Sequence, residues 1–388
     1  MNVHPSRTVD EFLSVLDRYV IPVRERMAPG EPFGLVPHLG RSLTRDLESR
    51  AQRERVREVL TAHDLRLFSI NAFPLEDFHQ PRVKEQVYSP PWTKSERSKL
   101  TNAIADVMAD LMVEGTVGTI STLGGSYRAW GDTAKDHAKI AAEYAKTVVH
   151  LAELERESGV TIFLTVEPEP DTTFEVADDV IALFRDHLLA HVAKLIGKPL
   201  GIGRARAEET LHRFFQVNLD VCHQSVLFRD PVEEWKQLDR AGLRVGKLHV
   251  TNAIALRSPS RSPRAVAELR EYVEPKYLHQ FAGRRPDGSL VRGGDLDQLT
   301  GDHLAECDEI RVHFHVPVSR DKLERLSTTR AETAAAIAHA RRLSDPPHIV
   351  VETYTWPLLA ATSNPSELVR GITRELRWTT EQLQSTAG

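Results

Sequence analysis

Four apolar segments of this chain lead to a carboxylate or a histidine, in the order Glu, Asp-x-x-His, His, Glu. They are TIFLTVE to Glu167, FFQVNLD to Asp220 with His223 three residues on, VGKLHVT around His249, and HIVVE to Glu352. An apolar strand tolerates an ionisable side chain poorly unless the group is paired or bound to a metal. Four such strands predict one shared divalent-metal site at one end of a parallel sheet. Carboxylates mixed with imidazole suit Mn2+, Co2+, Zn2+ or Fe2+. Mg2+ and Ca2+, which prefer all-oxygen shells, fit less well.

Alternation with period two sharpens this reading. Thr165, Glu167 and Glu169 fall on one face of their strand, as do Asn218 and Asp220, and Lys247, His249 and Thr251. Glu169 therefore competes with Glu167 as the ligand. His313 and His315 also share a face, so VHFH could aim two imidazoles at one place, as a second ligand or a proton donor. Taken singly, most of these residues have plainer roles. Glu167 could end a strand beside an arginine or lysine, Asp220 could cap a helix or turn, and His249 could be a hydrogen-bonded core histidine. Glu352, inside VVETYTW, has no such ready alternative. His4, His38 and His79 read as surface or supporting residues.

The elements that must position these groups alternate along the chain. Strand candidates are 2–5, 33–38, 65–73, 117–123, 161–167, 214–220, 245–251, 310–316 and 348–354, most of them near-continuous apolar runs of the kind buried on both faces. Helix starts are marked by Thr8/Glu11, Thr93/Glu96 and Thr329/Glu332 at capping-box spacing and by Asn364-Pro365. A helix over 133–158 stops at Gly159, a natural C-terminal cap. Repeated β-then-α units of this length favour a single (β/α)8 TIM barrel over 1–388. No Gly-x-Gly-x-x-Gly follows an early strand, so an open dinucleotide-binding sheet lacks local support. Nine strands are one too many, which makes 310–316 an accessory strand or one early assignment wrong. The stretch 255–305 breaks the rhythm with SPSRSPR, a helix near 263–272 and an Asp287-Gly288 hairpin turn. It reads as an insertion over the barrel mouth after the seventh strand.

Bulk properties exclude several function classes. The 388 residues carry a net charge of −5, with 41% hydrophobic and 27% charged residues, and no general basic field for nucleic acid. No run approaches a membrane span and the N-terminus lacks a signal-peptide core. Cys222 and Cys307 are too few for a disulfide scaffold, so a reducing cytoplasm is the expected location. Segment 74–92, with Phe78, His79, Arg82, Lys84, Tyr88 and Trp92, could cover a substrate or simply pack as a loop. Arg284, Arg285 and Arg292 could clamp a phosphate or carboxylate, although a solvated charged hairpin fits them better. GKPLGIGR at 197–204 lacks the ending of a phosphate loop.

The order Glu, Asp-x-x-His, His, Glu on successive late strands resembles the xylose isomerase-like TIM-barrel superfamily of sugar isomerases, ketose 3-epimerases, inosose dehydratases and endonuclease IV. Within it, NVHP, NAFPLEDFHQPRVKEQVYSPPW, STLGGSYR, EPEP, LDVCH, HFHVP and VETYTW together look like the EboE-type metabolite-traffic proteins. The resemblance implies that Glu167, Asp220, His249 and Glu352 hold a divalent metal and that Glu167 and Glu352 serve as an acid/base pair. It also implies that His223 contacts a substrate hydroxyl, with His313, His315 and Asn71 on the substrate side. Two departures stand out: His249 is followed by Val-Thr-Asn-Ala rather than Lys-Asp, and the glutamate strand reads VEPEP.

The leading expectation is a metal-dependent isomerase or epimerase that moves protons on a sugar, cyclitol or sugar phosphate, a small polyhydroxylated substrate. One alternative is a multi-metal hydrolase of small phosphoesters, because Asp220/His223 with His313/His315 resemble the zinc-holding pairs of endonuclease IV. Another is a catalytically silent metabolite-binding or trafficking protein. Barrels of this type often associate, so a homo-oligomer is compatible with the resemblance, but nothing in the sequence sets a stoichiometry.

Overall fold

The computed structural model of the chain describes residues 3–77, 80–359 and 364–385. Its strands are β1 (Phe33–Leu35), β2 (Leu65–Leu67), β3 (Ser69–Asn71), β4 (Val117–Leu123), β5 (Thr161–Glu167), β6 (Phe215–Asp220), β7 (Val245–Val250), β8 (Asn252–Arg257), β9 (Phe281–Arg284), β10 (Leu290–Gly293), β11 (Glu309–Val316), β12 (Ser327–Thr328) and β13 (His348–Val351).

Parallel pairing runs β3-β4-β5-β6-β7-β13, and β1 pairs in parallel with β2. β2 and β3 are one stave broken at Phe68, and a parallel bridge from His38 to Asn71 continues the pairing of the β1 segment with it. The result is a nearly closed parallel barrel with helices between its strands, a fold of the TIM type. Strands β4, β5 and β6 follow the expected segments almost residue for residue. β13 is shorter than 348–354 because the chain leaves the strand at Glu352 and turns at Tyr354 and Thr355.

Two of the nine expected strands are not barrel staves, which leaves seven among the described residues against the eight of the expected barrel. β11 belongs to a separate sheet, so 310–316 is the accessory strand. The expected strand at 2–5 is not one either: Met1 and Asn2 lie outside the described residues, and Val3 and His4 form a turn and bend. Between β1 and β13 lies a cavity of about 200 Å3 lined by Val3, Val20, Phe33, Leu35, Ile349 and Ile372, which marks the open seam.

Alternation along the staves puts apolar side chains toward the helices and polar ones into the bore. Phe215 of β6 packs against Tyr144 and Phe184 of the surrounding helices. Inside, Thr119 bonds Ser69 and His348, while Ser121 bonds Asn71. The helix Ala134–Ser158 begins at a Thr133/Asp136 capping box and ends at Gly159 with φ 72°, a left-handed position that glycine adopts without strain. Thr8 and Asn364 cap as expected. Thr93 does not, because the helix Ser95–Leu111 starts one residue later than its spacing predicts. Thr329 precedes its helix, but its hydroxyl oxygen accepts from the Ala253 N–H instead.

The second sheet is antiparallel, in the order β10-β9-β11-β8-β12. Its strands begin at Asn252 and end at Thr328, bracketing the 255–305 stretch on both sides. It has a hydrophobic cluster of its own, built around Ile254, Leu269, Phe281, Ile310 and Phe314. The β9–β10 hairpin turns at Asp287-Gly288, with Gly288 at φ 85° and Asp287 accepting from the Ser289 N–H. Among the described residues no helix is long and apolar enough to cross a membrane.

Candidate metal centre

Glu167 and Asp220 are the last residues of β5 and β6, His249 is the penultimate residue of β7, and Glu352 follows β13 directly. Register aligns them: Asp220 lies opposite His249, and Glu352 N–H reaches the Val250 carbonyl. The C-terminal ends of parallel staves thus bring the four side chains to one point. One ligand atom from each lies within 4.8 Å of the other three. His249 Nδ1 is 2.8 Å from Glu352 Oε2, 3.1 Å from Glu167 Oε1 and 3.5 Å from Asp220 Oδ2.

Burial opposes charge on His249, but the carboxylates of Glu352 and Glu167 outweigh it and hold the imidazolium well above its ordinary range. Burial would likewise raise Glu352, yet His249 draws it down to about 2. Asp220 divides its work between its oxygens. Oδ1 accepts from the His223 N–H and the Thr251 hydroxyl, which is the capping role, whereas Oδ2 is buried with no well-formed hydrogen bond. A buried carboxylate oxygen without a partner is costly. Three carboxylates, one imidazole and an orphaned oxygen converging on one point form a donor set that fits a divalent ion of the Mn, Co, Zn or Fe type.

Beneath this quartet, Lys247 is fully buried in the bore. Burial lowers its ammonium to about 8, against the attraction of Glu352 and Glu167. Its Nζ donates to Asn71 Oδ1 and Ser121 Oγ, and Asn71 Nδ2 donates to Glu352 Oε1 at 3.0 Å. Asn71 therefore stands beside Glu352 as well as at the pocket wall.

His223, His313 and His315 form a second group beside the first, with ring centroids 4.6, 5.6 and 5.4 Å apart. Each has Nδ1 facing an oxygen: Pro168 O for His223, Gln280 Oε1 for His313 and the Glu352 carbonyl for His315. With Nδ1–H donating, Nε2 is the nitrogen left for the site. His315 Nε2 and Glu169 Oε2 are both buried without a hydrogen bond. Asp220, His223 and His315 make one compact donor set, and Glu169, His223 and His313 another. Burial and the neighbouring His223 and His315 push His313 well below the usual histidine range. Burial, with Glu167 and Asp220 nearby, lifts Glu169 to about 8. Glu167 and Glu169 thus go to different groups, although two residues apart.

The mouth above is a cavity of about 80 Å3 walled by Phe73, Tyr88, Tyr277, Gln280 and Tyr354. A single water needs roughly 10–15 Å3 of such space, so the cavity suits a small molecule. Part of segment 74–92 roofs it. Lys84 Nζ pins that loop to the second sheet through Asp295 and the carbonyls of Glu274 and Tyr277. Phe78 and His79 lie outside the described residues. His38 Nε2 bonds the Pro74 carbonyl, and His4 stacks on Tyr19. The hairpin arginines point elsewhere: Arg284 pairs with Glu309, Arg285 with Glu306 and Arg292 with Glu175. Tyr88 belongs to the segment expected to cover a substrate, whereas Tyr277, Tyr354 and Gln280 were not singled out as pocket residues, since each lies on irregular chain or at a strand edge. The only signal available was the YLHQ and VETYTW residues flanking the histidine and glutamate motifs.

No family model matches the chain, and no curated protein matches it. Among solved structures it is similar to the IOLI protein with a binding zinc atom, at 11% identity over 91% of this chain and 90% of that one, with a TM-score of 0.46. It is similar to a xylose isomerase domain protein from Planctomyces limnophilus, at 13% identity over 60% and 68% with a TM-score of 0.40. A D-tagatose 3-epimerase-like protein aligns at 12% identity over 59% and 73% with a TM-score of 0.35.

Proposed function

We propose that this protein is a metal-dependent isomerase or epimerase of a small polyhydroxylated substrate, a sugar, cyclitol or sugar phosphate. The observation that carries the reading is the convergence of Glu167, Asp220 and Glu352 on one imidazole nitrogen of His249. Glu167, Asp220, His249 and Glu352 would hold the ion, which when bound polarises a carbonyl and acidifies the adjoining C–H. Glu352 and Glu167 would serve as the acid/base pair, one removing a proton and the other returning one. Asn71 fixes Glu352 through Oε1. Tyr88, donating to Glu169 and accepting from Gln280, lines the pocket with hydroxyl-binding groups, and His223 stands next to them. Phe73, Tyr88, Tyr277 and Tyr354 give the pocket aromatic walls.

A second reading, a two-metal hydrolase of small phosphoesters, draws on one specific observation. Asp220 belongs to both the quartet and the Asp220/His223/His315 set, and its Oδ2 and His315 Nε2 are both buried without a hydrogen bond. Paired ions stabilise attacking and leaving oxygens in such reactions. Elemental analysis of protein purified without chelator separates the two. About one transition-metal ion per chain, lost in Glu352→Gln, directs screening to ketoses and cyclitols. Two ions, one of them lost in His315→Gln, moves the assignment to hydrolysis. No ion, even after adding Mn2+, Co2+ or Zn2+, removes both and leaves a metabolite-binding protein.

A further inference from the structure

We infer that Lys247 is the residue that sets the charge preference of the metal centre, a built-in counter-charge that tunes the quartet for divalent ions. The inference rests on the quartet being a metal site. Lys247 is 0% exposed in the bore, two residues before His249 on the same face of β7. Placing an ammonium there without compensation is strongly unfavourable. Its Nζ donates to Asn71 Oδ1 and Ser121 Oγ, and Asn71 Nδ2 donates in turn to Glu352 Oε1, so a single amide joins the ammonium to the quartet.

Charge counting then has a consequence. Three carboxylates against one ammonium leave two negative charges, which a dication cancels and a trication overshoots. Without the ammonium, the same pocket would carry three negative charges and favour a trivalent ion. A second effect runs through Asn71. Its Oδ1 accepts from both Lys247 Nζ at 2.5 Å and Ser121 Oγ at 3.0 Å, so only Nδ2 remains to face Glu352. A cation can face only the oxygen of an amide, so Lys247 decides which end of Asn71 meets the ligand. Glu352 Oε1 is thereby held by a donor while Oε2 turns to His249.

The test is competition between Mn2+ and Tb3+ for the full-length protein, read as the ratio of the two affinities in equilibrium dialysis. Wild type is expected to bind Mn2+ more tightly. Lys247→Met and Lys247→Gln are each expected to shift the ratio toward Tb3+ by about tenfold or more, since one unit charge within about 10 Å is worth at least that at an effective dielectric near 20. Ser121→Ala, which removes a contact of Lys247 but leaves its charge, is expected to keep the ratio within about threefold. An unchanged ratio in both lysine variants, with Mn2+ still bound, overturns the inference and leaves the metal site standing. Tb3+ binding more than about tenfold tighter than Mn2+ in wild type overturns it without any variant. Wild type that binds neither ion removes the metal site and the inference with it.

Discussion

The barrel rim and the sheet packed over it use the same residue types with opposite charge logic. On the rim, three carboxylates surround one imidazole, and their attraction keeps His249 protonated far above its usual range while drawing Glu352 down to about 2. Beside it, three imidazoles crowd together: burial with mutual repulsion drives His313 of β11 well below that range and lowers His315, while against burial Asp220 and Glu169 raise His223. Asp220 stands between the two groups and belongs to both. The stoichiometry of acids and bases around a buried group therefore decides its protonation, and residue type alone does not.

Removing one member of the carboxylate group is the harshest test of this contrast. Glu352→Gln is expected to lower Mn2+ affinity by about 100-fold or more, beyond what loss of a supporting residue does, measured by calorimetric titration. Retained affinity would move the metal centre off the rim. Next in size is the clamp that fastens the roof to the second sheet. Lys84→Met leaves Asp295 buried without its ammonium and is expected to destabilise the protein by about 3 kcal/mol, read by urea unfolding. A change under about 1 kcal/mol would show that the pair is better solvated than its burial indicates.

Acidity provides a third measure. A divalent ion must displace the proton on His249, whose pKa is raised, so binding releases a proton wherever the free protein carries it. Mn2+ affinity is then expected to rise about tenfold per pH unit below that raised pKa and to level off above it. An affinity independent of pH from 6 to 8 would mean that His249 is already neutral in the free protein. The smallest expected effect separates the two groups: His315→Gln should change Mn2+ affinity at the quartet by no more than about threefold. A larger loss would show that the imidazole group and the rim act as a single site through Asp220.

How much of this was legible depended on whether a residue's partners could be inferred from strand period. Glu167, Asp220, His249 and Glu352 ended apolar runs, and a group that ends a buried parallel strand has few places to go except the rim. The shared face of Lys247, His249 and Thr251 was readable for the same reason. The choice between Glu167 and Glu169 was not, because period two places both on one face while the chain leaves the strand after Glu167. Nor could spacing place His313 and His315. They sit on an antiparallel strand whose neighbours, β8 and β9, begin 57 and 28 residues earlier (Asn252 and Phe281 against Glu309), and strand order over such distances leaves no local trace. The 2–5 segment misled because Asn-Val-His-Pro is too short and polar to carry a strand period, and Val3 and His4 form a turn and bend.

By itself the sequence determined the alternation of strands and helices, the polar lining of the bore and the carboxylates at the strand ends, since each follows from local period, capping and the cost of burying charge. The tertiary structure alone decided that β11 leaves the barrel, that Asp220 serves a cap with one oxygen and the rim with the other, and that Lys247 reaches Asn71 across the bore. These depend on which segments, distant in sequence, come within a hydrogen bond of each other, and packing settles that where local preference does not.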